Sequence, residues 1–122
     1  MRWPALRLHI RANLLPSLRG RVDFHISRYR DPGDGAYGRA WVTVDGERVG
    51  EGWAAGEFLG LLSEYVDIPP AEALRSETGL WRALAAGDRR LSRGSVEAAS
   101  ADGEADAVAA ALRTLRLGAD PA

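Results

Sequence analysis

Tyrosine, tryptophan, histidine and arginine are the side chains that stack on bases or anchor protein interfaces. In this chain they recur at alternate positions of two short runs. Arg21, Asp23, His25, Ser27 and Tyr29 share one side of the first run, and Arg39, Trp41 and Thr43 share one side of the second. The positions between them, Val22, Phe24 and Ile26 and then Ala40, Val42 and Val44, are apolar. Such alternation is the signature of half-buried strands, so pairing the two runs gathers the polar and aromatic set on one outer face. The candidate binding face is Arg21, His25, Tyr29, Arg39 and Trp41. Solvated sheet faces favour Thr, Lys and Glu, so Trp41 needs a cover. Three are open: the N-terminal helix folded back so that Trp3 or Leu8 meets Trp41, a second protein chain, or a nucleic acid.

Asp88, Arg89, Arg90 and Arg93 form a second constellation. At the C-terminal end of a helix, where the dipole favours cations, the arginines could hold a phosphate or carboxylate in bidentate fashion. The preferred reading is structural: an Asp–Arg pair tying this helix to the acidic part of the chain. Nothing nominates a catalytic centre. The sequence has no Gly-rich phosphate loop with Lys, no G-x-S-x-G elbow and no H-E-x-x-H. His9 and His25 are its only histidines, cysteine is absent, and no pair of carboxylates stands out at a chemical spacing. The expectation is no cofactor, no metal and a protein that leans away from catalysis.

The elements that must position these groups follow from periodicity. Trp3, Leu6, Ile10 and Leu14 lie at helical spacing, predicting a helix over 3–15 with Pro4 in its first turn and Pro16 ending it. Strands follow at 22–29 and 39–44, separated by the turn formers of 31–38; Asp45-Gly46 is a two-residue hairpin signal leading to a short edge strand at 47–50. Phe58, Leu61, Leu62 and Tyr65 predict a helix over 55–66, Pro69-Pro70 opens a short one over 71–75, and Thr78 caps another over 79–90. Residues 94–103 read as a loop, and Glu104 and Asp106 start a last helix that buries Val108, Leu112 and Leu115. The expected architecture is one α+β domain over residues 1–122: an N-terminal helix, a three-stranded antiparallel meander and three to four C-terminal helices.

Composition bounds the rest. The 122 residues, 46% hydrophobic and 27% charged, suffice for a core without disulfides, and the net charge of -1 argues against a generic polyanion binder. The near-neutral total hides an asymmetry. Residues 1–30 carry seven arginines against one acid, Asp23, and the remainder carries nine against sixteen. Arginine without any lysine reads as the codon bias of a GC-rich genome. No run is long and apolar enough to span a bilayer, and Met1–Ile10 lacks the apolar stretch and cleavage site of a signal peptide, so a cytoplasmic location without membrane partners is expected.

Several stretches together resemble a family of small, uncharacterised bacterial proteins. They are Arg2-Trp3 with Leu6, Ser17–Val22 with Phe24-His25 and Tyr29-Arg30, Gly38–Gly46, Glu72–Leu74, Arg82–Ala85 and Asp88-Arg89-Arg90. The resemblance runs from residue 2 to about residue 93 and implies no activity, cofactor or residue role. It departs at 48–56, which is shorter and richer in glycine, and in the alanine-dominated last helix. His25, Tyr29, Arg39, Trp41 and 88–90 fall inside the similar stretches and are the first places to look. The functional expectation is a small protein-interaction module, homodimeric or with another partner, acting through the outer face. The alternatives are RNA or single-stranded DNA binding through the basic, aromatic N-terminal region, and an enzyme of unidentified class.

Overall fold

The computed structural model describes residues 2–31, 35–99 and 103–118, and only the backbone at 28–31 and 35–37. The order is α1 (Trp3–Ala12), α2 (Pro16–Arg19), β1 (Val22–Asp31), β2 (Gly35–Val44), β3 (Glu47–Ala54), α3 (Ala55–Tyr65), α4 (Pro70–Leu74), α5 (Gly79–Ala86), α6 (Arg93–Ala99) and α7 (Ala107–Gly118). The class is α+β, with the strands in the order β1-β2-β3.

Helix α1 forms as its spacing predicts and buries Leu6 and Ile10, but it stops at Ala12, short of the expected 15. The backbone leaves the helix to pair with a distant segment: Leu15 N–H donates to Gly87 O at 2.9 Å and Arg89 N–H to Asn13 O at 2.7 Å. Leu14 stays buried at this bridge, opposite Asp88. Pro16, expected to be only a terminator, heads the short α2, where its missing N–H leaves no donor unsatisfied.

β1 and β2 pair from Val22↔Val44 to Asp31↔Gly35, so Gly35–Gly38, expected as turn, is strand. The ladder overrides the weak strand propensity of glycine there. At the other end Asp45 (φ 52°) and Gly46 (φ 83°) make the tight turn that their sequence announces. β3 runs well past the expected 47–50. The pairs Val42↔Val49 and Ala40↔Trp53 leave residues 50–52 opposite Trp41 alone, a bulge that lets the strand continue. Gly52 has φ 82°, and a Cβ there would stand 2.5 Å from Ala40 O, so only glycine fits.

Val22, Phe24, Ala40 and Val42 share a single core with Leu6, Ile10, Phe58, Leu62, Leu84 and Leu112. Burying each large apolar side chain contributes about 2 kcal/mol. The Phe58 ring of α3 meets those of Trp3 at 6.1 Å and Trp53 at 5.2 Å. α5 ends at Ala86 rather than near 90 because Gly87–Arg89 is the segment paired with Asn13–Leu15. Thr78 occupies the N-cap position of α5 without a side-chain cap bond. Where a loop is expected, α6 forms. Ser92 Oγ accepts the Ser95 N–H at 3.1 Å, Arg93 pairs with Glu97 at 2.9 Å, and Val96 is fully buried. α7 starts at Ala107, with Asp106 Oδ1 accepting the Ala109 N–H at 2.9 Å. Glu104, expected to open this helix, binds Arg82 through two bonds of 2.6 and 3.1 Å instead.

Candidate functional site

On the outer face of the sheet His25 and Trp41 are direct cross-strand partners. Their rings stack, with centroids 5.5 Å apart and planes 14° from parallel. His25 Nε2 lies 2.8 Å from Thr43 Oγ1, which fixes the imidazole against the sheet. The Arg48 guanidinium of β3 sits over the Trp41 ring, 4.8 Å from its centroid, an arrangement attractive through the ring quadrupole. Gly52 of the bulge leaves room beside it: a Cβ there would stand 3.3 Å from Arg48 Nη2 and crowd the guanidinium. Trp41 is half-buried, and its cover comes from its own sheet. Trp3 packs on Phe58 instead, and Leu8 is 62% exposed.

The other residues of the face divide. Arg39 is exposed, stands opposite Ser27, and donates Nη2 to Glu51 O at 3.2 Å. Arg21 is committed to Asp45, with bonds of 3.0 and 2.8 Å, and its guanidinium is raised and the Asp45 carboxyl lowered by that pair. The side chain of Tyr29 lies outside the described residues. Sequence reasoning missed Arg48. The signal was present, because a two-residue turn at Asp45-Gly46 sets Thr43 opposite Arg48, diagonal to Trp41 on the same face.

The 88–93 constellation is not one site. Asp88, 1% exposed, accepts the Tyr65 hydroxyl at 2.7 Å and Arg90 Nε and Nη2 at 2.9 and 2.7 Å. Burial works to raise the Asp88 carboxyl, but Arg90, its backbone N–H and Tyr65 together hold it below the usual carboxylate range. Burial and the Asp88 charge push the Tyr65 phenol up. Arg89 turns away to Ala12 O at 3.1 Å, and Arg93 reaches Glu97 and Leu117 O. Arg116, which no spacing rule flagged, is 5% exposed and donates to the carbonyls of Ala86, Asp88 and Leu91. It closes the end of α5 onto α7.

Much of the N-terminal positive charge is also engaged. Arg7 forks onto Asp23 at 2.9 and 2.6 Å, Arg11 Nη2 donates to Arg19 O at 2.6 Å, and Arg19 donates to the carbonyls of Leu14 and Ala12. Burial works to raise the Asp23 carboxyl, but Arg7, the Phe24 N–H and Arg11 bring it below its ordinary value. Among the described residues no group of three or more His, Asp or Glu side chains is placed to hold a metal ion, and no helix is long and apolar enough to cross a membrane.

The segment from α1 to the end of β3 carries the whole stacked face. Residues 2–54 match the model of the SF0329 protein family. The match supports similarity to an uncharacterised family, and it ends where the meander ends. His25, Arg39, Trp41, Arg48 and Gly52 lie inside the SF0329-like segment, while Asp88, Arg89, Arg90 and Arg93 lie beyond it. No curated protein and no solved structure matches the chain.

Proposed function

We propose that the protein is a small, non-catalytic interaction module that docks another protein chain, a second copy or a different partner, on the outer face of its sheet. The observation that carries this reading is the His25–Trp41–Arg48 stack, with His25 and Trp41 half-buried, Arg48 exposed over the indole, and exposed Arg39 beside them. Trp and Arg in pre-ordered positions are the residue types that dominate interface energetics. The side chains are held before any partner arrives, so little rotamer entropy is lost on docking.

Protein is favoured over nucleic acid because Arg7 and Arg21, which would otherwise add to a basic face, already fork onto carboxylates of their own chain. Phosphate-backbone binding draws its affinity from basic groups free to displace counterions.

The test is Trp41→Glu, followed by sedimentation across a concentration series and by capture of cross-linked partners. Association is expected to weaken by tenfold or more while the unfolding midpoint stays within a few degrees of wild type. If oligomeric state, partner capture and stability were all unchanged, the reading would be wrong. Binding of single-stranded RNA at low salt, lost in Arg39→Ala, would replace it with the nucleic-acid reading.

A further inference from the structure

Away from Trp41, two guanidinium groups converge on the C-terminal end of α1. Ala12 O accepts Arg19 Nη2 at 2.9 Å and Arg89 Nε at 3.1 Å, while Arg19 Nε donates to Leu14 O at 3.1 Å. Two like charges therefore share one carbonyl oxygen; the Arg89 bond reaches it across 77 positions of sequence, beside the Leu14–Asp88 bridge. Among the described residues neither arginine has a carboxylate within ion-pair distance. Arg11 adds to the excess, because Asp23, 3.9 Å from its Nε, is already forked by Arg7. The partial negative charge of a helix C-terminus, about half an elementary charge, offsets only part of this.

We propose that Arg19 and Arg89 form a binding site for a phosphomonoester group. Arg19 Nη1 and both terminal nitrogens of Arg89 make no hydrogen bond among the described residues, so their N–H groups are available. Arg89 is exposed and Arg19 half-buried, and each is anchored through Nε, which fixes its orientation. The charge and shape select the ligand. A phosphomonoester carries close to two negative charges at pH 7 and three terminal oxygens, matching two cations that offer the fork of the two Arg89 terminal nitrogens and the separate Nη1 donor of Arg19. A carboxylate, with one charge and two oxygens, is satisfied by a single fork. The site is independent of the Trp41 face.

The experiment titrates inorganic phosphate into the full chain at low salt, following the Arg19 and Arg89 Nε–H signals by NMR and the affinity by calorimetry. A phosphoserine peptide, its unmodified parent and the same peptide with Glu in place of phosphoserine are titrated in parallel. Phosphate and the phosphoserine peptide are expected to bind, at least tenfold more weakly in Arg89→Gln and Arg19→Gln. Binding of the phosphoserine peptide weakens several-fold at pH 5, where its phosphate passes below its second pKa of about 6. Trp41→Glu leaves it unchanged, which separates this site from the proposed docking face. Thermal unfolding of each variant is measured alongside, and if Arg19→Gln does not fold, Arg89→Gln alone decides. Tighter binding of the phosphopeptide than of inorganic phosphate assigns a phosphorylated polypeptide; equal affinity assigns a free phosphomonoester. No binding by any phosphate probe, affinity unchanged in Arg89→Gln, or equal binding of the Glu peptide would overturn the proposal.

Discussion

Among the described residues Asp88 carries more hydrogen bonds than any other acid: Tyr65 and Arg90 saturate a carboxylate that is 1% exposed. Removing one member of such a buried pair leaves the others uncompensated. Asp88→Asn is therefore expected to cost about 3 kcal/mol and Tyr65→Phe about 1 kcal/mol in urea unfolding at pH 7. The pH dependence has a definite sign. The folded-state carboxyl titrates below its ordinary 3.8, so its contribution is fully present above that pH and is lost as pH falls through the lower folded value. Wild type should lose stability on acidification below about pH 4 more steeply than Asp88→Asn, as read from unfolding midpoints. The pairing was one of two readings open in the sequence, since Asp88 and Arg90 are two positions apart; the role of Tyr65 was hidden by 23 positions of separation.

At the scale of elements, the meander was legible and the bulge was not. Alternation and Asp45-Gly46 specify strands and a turn, but two extra residues in β3 depend on where Trp53 finds its place against Phe58. Gly52→Ala puts a Cβ into Ala40 O at positive φ. We expect it to destabilise the fold by about 2 kcal/mol and to displace Arg48 from Trp41, visible in unfolding curves and in the Trp41 indole signal. α6 teaches a complementary lesson. Its Gly, Ser and Ala content imitates a loop, yet Ser92 supplies a cap and Val96 a buried anchor. Ser92→Ala should cost about 1 kcal/mol, measured by urea unfolding.

For the molecule as a whole, the SF0329-like segment does not enclose its own core. Phe24, Ala40 and Val42 share that core with Phe58, Leu62, Leu84 and Leu112, all beyond residue 54. A chain ending at Ala54 is expected to show no cooperative thermal unfolding by circular dichroism, because its sheet would expose one apolar face to water. The charge asymmetry also belongs to this scale. Arg7–Asp23 and Arg21–Asp45 lie within the first 54 residues, and Arg82–Glu104, Arg90–Asp88 and Arg93–Glu97 lie beyond them. These pairs leave the basic N-terminal segment basic, and the contact between the two parts at Arg89 is made to a carbonyl rather than an acid.

By itself the sequence determined the α+β class, the meander with its tight turn, the facing of His25 and Trp41 on one side, and the main helices. Each rests on local physics: a period of two or 3.6, a proline at a helix start, positive φ at Asp45-Gly46. The tertiary structure alone decided that Trp3 joins Phe58 rather than Trp41, that Arg116 is buried among carbonyls, and that Arg19 and Arg89 share Ala12 O. Those contacts join residues far apart in the chain, and no periodicity encodes a distance that exists only once separate faces have packed.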